Sequence, residues 1–244
     1  MVLIWASPSR SFRLRVENLV YLSVEILIDA RFNGPPRSAN GGYTCGLLAE
    51  LVGEPAEVTL RAPPPLERPL RWDGERLWDG ETLVAEARRA ELEVEPPSAV
   101  SFADAERASR GYPGFEQHDY PTCFVCGPAR DDGLALYAGA VDGRDVFGAP
   151  WLVPDDVTRV LTWAALDCPG AIGVGWTGRG DWLLGRMTAE VLAVPQPGDR
   201  CVVVAWPIGT DGRKGFAGTA IYRGDELLAR AKQTWIASPP TAAA

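Results

Sequence analysis

Apolar and polar residues alternate in short stretches along most of the chain, and two stretches change to a helical period. Residues 23–30 are apolar and rich in β-branched side chains, a composition typical of a strand. Leu47 and Leu48 belong to the apolar stripe of a helix, which we expect to follow an N-cap at Asn40 and to end at Gly53. Short alternating segments come next, and the Asp-Gly and Pro residues between them predict hairpins.

The second half of the chain repeats this pattern. Residues 133–141 and 144–151 predict strands, and residues 157–166 predict a helix that ends before Pro169. Four further strands are expected after it, at residues 181–194, 199–209, 215–224 and 226–237. One helix followed by a run of antiparallel strands, twice, is typical of an α+β fold.

The two halves also share short stretches of sequence. Residues 80–88 read GETLVAEAR and residues 224–232 read GDELLARAK, while AEV occurs at both 56–58 and 189–191. So long a period predicts two similar domains, not a solenoid of small units. We expect the following division: an N-terminal extension at 1–18, domain one at 19–95, a linker at 96–119, domain two at 120–238 and a tail at 239–244.

Composition narrows the class of protein. The 244 residues carry a net charge of −8, and 46% of them are hydrophobic. An acidic chain of this kind is not expected to bind nucleic acid or an anionic membrane surface. No apolar stretch approaches the roughly 20 residues of a membrane span, and the first residues make a poor signal peptide.

The five cysteines are irregularly spaced, which argues against a disulfide framework and for a reducing cytoplasm. Cys123 and Cys126 form a single C-x-x-C pair, and zinc would need two more ligands. The other possible ligands are scattered and lack paired spacing: Cys45, Cys168, Cys201 and His118, the only histidine. A structural turn is therefore the expected role of the pair, with neither a metal nor any other cofactor.

Two motifs resemble the hotdog-fold acyl-CoA thioesterases, in particular those of the phenylacetyl-CoA-thioesterase type. CFVCGPARDDGLAL at 123–136 is similar to the segment that opens many such domains, and NGPPRSANGGYTCGLLAEL at 33–51 is similar to the loop and helix start that carry His-Gly-Gly. LTWAALDCPG at 161–170 resembles the helix that bears the catalytic carboxylate, with Asp167 in that position. The resemblance covers roughly residues 22–238 and implies a double hotdog, in which two tandem copies imitate a homodimer.

Each copy departs from the motif in a different place. The first copy keeps Gly41 and Gly42, with Asn40 in place of the histidine, but it has Ala49 where the carboxylate is expected and Glu50 one residue later. The second copy keeps Asp167 but reads Thr-Arg-Val at 158–160 instead of His-Gly-Gly. The resemblance therefore implies one composite site, with a backbone N–H of Gly42 or Tyr43 from the first copy and Asp167 from the second.

These residues fit the hydrolysis of a thioester. Backbone N–H groups at a helix N-terminus can polarise the carbonyl, and Asp167 can act as general base or nucleophile, with Glu50 as a further candidate. Asn33, Asn40, Gly41 and Tyr43 are candidates for holding the substrate, which would be an acyl-CoA or a related thioester. Because each copy lacks part of the motif, a non-catalytic protein that binds an acyl-CoA or lipid-like ligand is the alternative, and a hydratase is a third. The chain would work as a monomeric pseudo-dimer or as a homodimer.

Overall fold

The computed structural model describes residues 24–177 and 182–237, and they form one antiparallel sheet of eleven strands with four α-helices. The strands are β1 Val24–Leu27, β2 Ala56–Leu60, β3 Pro69–Trp72, β4 Arg76–Asp79, β5 Thr82–Arg89, β6 Gly139–Ala140, β7 Phe147–Leu152, β8 Trp182–Val191, β9 Arg200–Asp211, β10 Lys214–Arg223 and β11 Glu226–Ala237. The helices are α1 Gly41–Val52, α2 Phe102–Ser109, α3 Arg159–Asp167 and α4 Pro169–Gly173. The described residues include no helix long and apolar enough to cross a lipid bilayer.

From the middle of the sheet outward, the strands follow corresponding orders on the two sides, and β6 is added at one edge. The full order runs β1-β3-β4-β5-β2-β8-β11-β10-β9-β7-β6, so β2 and β8 join two halves of matching topology. Ala56 pairs directly with Ala189, and both begin the repeated AEV triplet. Equivalent residues that face each other in an antiparallel pair are what a local two-fold axis requires. The sheet therefore consists of two halves with corresponding strand orders, and α1 and α3 pack against each other between them.

The repeated segments at 80–88 and 224–232 occupy equivalent places in these halves. Each consists of a hairpin turn and the strand that follows it, β5 in one half and β11 in the other. Gly80 and Gly224 lie in the turns at φ of 58° and 60°, a backbone conformation that favours glycine. The turn chemistry explains why this stretch of sequence is so similar in the two halves.

The first predicted helix is confirmed at both ends. The side chain of Asn40 accepts a hydrogen bond from the N–H of Tyr43, and Gly53 closes the helix. The strand expected at 23–30 is shorter than predicted, because β1 ends at Leu27 and a short 3-10 helix, Ala30–Phe32, follows. Residue 23 and the predicted segments at 1–18 and 239–244 lie outside the described residues.

The second predicted helix starts two residues later than expected. It begins at Arg159, because the side chain of Thr158 accepts from the N–H of Leu161 and caps it there. It ends at Asp167, before Pro169 as predicted, and Pro169 then opens a further short helix, α4, which was not expected. Proline is well tolerated in the first turn of a helix, since the N–H it lacks would be unpaired there.

The strand predicted at residues 133–141 is mostly absent, and only Gly139 and Ala140 form β6. Leu134 and Leu136 do alternate toward the interior, as the pattern indicates. Their N–H groups, however, donate to the carbonyl oxygens of Phe124 and Val125, which lie in a loop. The segment is therefore held against the C-x-x-C loop and does not extend the sheet.

The segment at 96–119, predicted as a linker, contains helix α2 and a 3-10 turn, Pro113–Phe115. Ala105 and Ala108 of α2 pack in a small apolar cluster with Val202, Val204 and Ala220 of the sheet. The larger core lies between the sheet and the helices α1 and α3, which pack against each other. This contact of α1 with α3 brings the N-terminus of one helix to the C-terminus of the other.

Candidate functional site

The N-terminus of α1 is built to expose backbone N–H groups. The side-chain oxygen of Asn40 lies 2.9 Å from the N of Tyr43 and satisfies that N–H. Asn40 is itself 2% exposed, so the cap is fixed inside the protein. The N–H groups of the first helical turn have no partner within the helix and carry the positive end of its dipole.

Asp167 of α3 meets this helix terminus. Its Oδ2 accepts a hydrogen bond of 2.8 Å from the N–H of Gly42. A Cβ on Gly42 would lie 2.5 Å from the Cβ of Asp167 and 2.9 Å from the carbonyl oxygen of Trp163, so only glycine fits this approach. Gly42 and Asp167 are thus in direct contact, as the composite site implied by the thioesterase resemblance requires.

The carboxyl group of Asp167 is enclosed. The residue is 2% exposed, and its Oδ1 has no hydrogen-bond partner among the described residues. Burial raises the pKa of Asp167 to about 7, and the nearby Cys123 adds to the rise. Hydrogen bonds from the N–H of Gly42 and from the side chain of Asn40 oppose it. One carboxyl oxygen is therefore held by Gly42, and the other is buried without a hydrogen-bond partner among the described residues.

The end of α3 that carries Asp167 is anchored to the sheet. The hydroxyl of Thr219 donates to the carbonyl oxygen of Leu166 at 2.9 Å, and the side-chain amide of Gln233 donates to the same oxygen and to that of Asp167. Both side chains are buried. They satisfy carbonyl groups that the last helical turn leaves without partners, and they fix the height of Asp167 above the sheet.

A cavity of about 280 Å³ adjoins the carboxyl group. Asn40, Gly41 and Asp167 lie in its wall, and the wall is otherwise mainly apolar. The apolar lining includes Leu60, Ala171, Trp176, Trp182, Leu184, Trp235 and Ile236. The sequence alone could not identify these three tryptophans, because it does not show which of the nine in the chain face a cavity. An apolar cavity with a few converging polar groups is the usual form of a small-molecule site.

Three other candidate residues lie elsewhere. Glu50 lies on the surface of α1 and does not line the cavity. The protein around its carboxyl group raises the pKa of Glu50, and Arg159 opposes the rise. Asn33 accepts from Arg130 at 2.8 Å and donates to the carbonyl of Gly34, so it ties two loops together. The ring of Tyr43 stacks on Phe32 at 3.9 Å within the core. The backbone N–H of Tyr43 belongs to the helix terminus.

Cysteines that are far apart in the sequence meet beside the cavity. The sulfur atoms of Cys123, Cys126 and Cys168 all lie within 4.8 Å of one another. His118 joins them, with its Nε2 3.4 Å from the sulfur of Cys126. Hydrogen bonds from the thiols of Cys126 and Cys168, together with two backbone N–H groups, hold the pKa of Cys123 well below its usual range. These are the described residues best suited to hold a metal.

Comparison with solved structures identifies the fold. The chain is similar to an acyl-CoA thioesterase II from Mycobacterium marinum, with 11% identity, 94% of this chain and 98% of that chain covered, and a TM-score of 0.57. It is similar to a tesB protein from Mycobacterium avium subspecies paratuberculosis, with 12% identity, coverages of 91% and 96%, and a TM-score of 0.57.

A conserved hotdog-fold protein of unknown function from Alicyclobacillus acidocaldarius is similar too, with 12% identity, coverages of 93% and 97%, and a TM-score of 0.53. No family model and no curated protein matches the sequence. The chain therefore has the hotdog fold, with structural neighbours among thioesterase-like proteins, as the sequence motifs implied.

Proposed function

We propose that this protein hydrolyses an acyl thioester, such as an acyl-CoA, at a single site composed of residues from both halves. The observation that carries the proposal is the contact between Asp167 and the N–H of Gly42 at the wall of an apolar cavity. A fixed carboxylate, a helix N-terminus and an acyl-sized cavity are the parts that such hydrolysis needs. All three belong to one chain, so a monomer would suffice.

In this mechanism, Asp167 acts on a water molecule at the carbonyl carbon. Its Oδ1, which has no partner among the described residues, accepts a proton from the water while Oδ2 stays on Gly42. The water oxygen adds to the carbonyl carbon, the carbon–sulfur bond breaks, and the thiol leaves with the proton. Direct attack by the carboxylate, followed by hydrolysis of the anhydride, is the other route open to this group.

The carbonyl oxygen needs a hydrogen-bond donor as it gains charge. Gly42 donates to Asp167 and Tyr43 donates to Asn40, which leaves the N–H of Gly41 as the donor nearest the cavity. Within the described ranges, 24–177 and 182–237, this N–H donates to no acceptor. One well-placed donor of this kind contributes about 3 kcal/mol to the transition state.

The test is release of free thiol from a panel of acyl-CoA thioesters of increasing chain length. We expect turnover by the native chain and a fall of roughly 100-fold or more in kcat for Asp167→Asn, which keeps the size of the side chain but removes its basicity. Asp225→Asn in the exposed β10–β11 turn is the matched control and should keep native turnover. Equal rates for Asp167→Asn and native protein would rule out the composite site.

A specific contact favours a second function, the binding of an acyl-CoA or lipid-like ligand without catalysis. The N–H of Gly42, the expected donor to the substrate, is already occupied by Asp167. If this second function is the true one, no thioester in the panel is turned over, yet an acyl-CoA raises the thermal midpoint of the native chain. Turnover above the background rate excludes it.

A further inference from the structure

The cysteine cluster beside the cavity combines four side chains from two distant parts of the chain. Cys123 and Cys126 come from the loop before β6, His118 precedes them, and Cys168 follows the end of α3. The three cysteines are buried or nearly so. The three sulfur atoms lie within 4.8 Å of one another, and the imidazole nitrogen contacts only that of Cys126, so the ring must shift inward to complete the Cys₃His set typical of structural zinc sites.

Two distances within the cluster match those around a tetrahedral ion. Zinc bonds of about 2.3 Å to sulfur and about 2.0 Å to nitrogen place two sulfurs about 3.8 Å apart, and a sulfur and a nitrogen about 3.5 Å apart. The sulfurs of Cys123 and Cys168 are 3.7 Å apart, and Cys126 and His118 are 3.4 Å apart. A disulfide would need about 2.05 Å between sulfurs, and all five cysteines are free.

The backbone of the C-x-x-C loop has the form of a metal-binding turn. The N–H of Gly127 donates to the carbonyl oxygen of Cys123 at 2.9 Å, which closes a tight turn around the two cysteines. Gly127 is required because a Cβ there would lie 2.5 Å from the N of Cys123. The hydroxyl of Tyr112 also donates to the carbonyl of Cys126 at 3.0 Å and holds the loop in place.

We propose that Cys123, Cys126, Cys168 and His118 bind one Zn²⁺ ion. Three thiolates select a soft or borderline metal, and four protein ligands leave no open position, which makes the ion structural. The three thiol protons are released as the metal binds, and the ring proton of His118 moves from Nε2 to Nδ1. The N–H of Tyr120, which now donates to Nδ1 of His118, must turn aside so that Nδ1 can carry the ring proton.

The position of the ion gives it a consequence for the cavity. It would tie the loop at 118–127 to the end of α3, one residue beyond Asp167, and all four ligands lie in the cavity wall. Metal binding does not depend on the proposed hydrolysis, so it can be tested without a substrate.

Metal content of the purified chain is the first measurement. We expect about one zinc per chain by elemental analysis, and a cobalt-substituted form with the intense visible absorption of tetrahedral thiolate coordination. Removal of zinc by a chelator should lower the thermal midpoint, and added Zn²⁺, but not Mg²⁺, should restore it. This last test uses the native chain, so it holds even if a variant fails to fold.

Variants then assign the ligands. Cys126→Ser and Cys168→Ser should retain less than about a tenth of an equivalent of zinc, while Cys201→Ser, a matched change at a buried cysteine of β9, should retain the native amount. His118→Ala should weaken binding at least tenfold, and His118→Cys, which completes a set of four cysteine ligands, should restore it.

Four results would overturn the proposal. They are a reduced native chain that takes up no zinc from a zinc-containing buffer, an equal loss of metal in Cys201→Ser, a native cobalt spectrum in His118→Ala, and a Cys123–Cys126 disulfide in the freshly purified protein.

Discussion

The N-termini of α1 and α3 occupy equivalent places in the two halves, yet their surroundings differ. Asn40 and Thr158 are the respective caps, and Gly42 corresponds to Val160. The first terminus faces Asp167 and the cavity. Opposite the second, Ala49 stands at the position that corresponds to Asp167, and it is fully buried.

The second terminus is closed by an ion pair. The guanidinium of Arg159 lies 2.9 Å from Oε2 of Glu54. The same carboxylate accepts from the N–H of Val191 at Oε2 and from the indole N–H of Trp163 at Oε1. Glu54 therefore joins α1, α3 and β8 across the boundary between the halves. One end of the helix pair carries the residues of the proposed site, and the other end holds the halves together.

Restoring a carboxylate at the second end should not restore a site. Ala49→Asp places a charge at a fully buried position, so we expect the free energy of unfolding to fall by about 3–5 kcal/mol, with no gain in turnover per folded molecule. Denaturant unfolding and the thioester assay measure these two quantities. A stable variant with increased turnover would show that the second end is a latent site.

Removing the anchor should separate stability from activity. Glu54→Ala leaves Arg159, Trp163 and the N–H of Val191 without their shared acceptor, and we expect a loss of about 3 kcal/mol in unfolding free energy. Because Glu54 does not line the cavity, kcat measured well below the unfolding temperature should stay near the native value. Loss of turnover in a folded variant would show that the two ends are coupled.

The corresponding positions Gly42 and Val160 allow a change to alanine at each end. Gly42→Ala forces a Cβ into Asp167 and should cost about 2 kcal/mol of stability as well as most of the turnover. Val160→Ala removes two methyl groups from the core, also at about 2 kcal/mol, but should keep the native kcat. The pair therefore controls for stability, and equal kinetic effects in the two variants would contradict the assignment of the site to the first end.

Sequence patterns predicted the local features of the site, since these depend on neighbouring residues. The cap at Asn40 and the helix after it could be predicted from neighbouring residues, and the resemblance to the thioesterase motifs implied the pairing of Gly42 with Asp167. The cysteine cluster could not be predicted, because Cys168 is 45 positions from Cys123 and only the packing of α3 against the loop brings them together. Glu50 shows the reverse case: it is adjacent to the expected carboxylate position in sequence, but it lies outside the cavity.

The smallest effect we expect is also the most direct comparison of the two ends. Asn40→Ala and Thr158→Ala each remove a side-chain oxygen that caps a first-turn N–H, and each should lower the unfolding free energy by about 1 kcal/mol. Asn40 also contacts the sulfur of Cys168 and lines the cavity, so Asn40→Ala should reduce kcat by roughly tenfold, which corresponds to about 1.4 kcal/mol. Thr158→Ala should leave kcat unchanged. Equal losses of stability with unequal losses of turnover would place the function at the first end alone, whereas parallel losses would mean that Asn40 acts only as a helix cap.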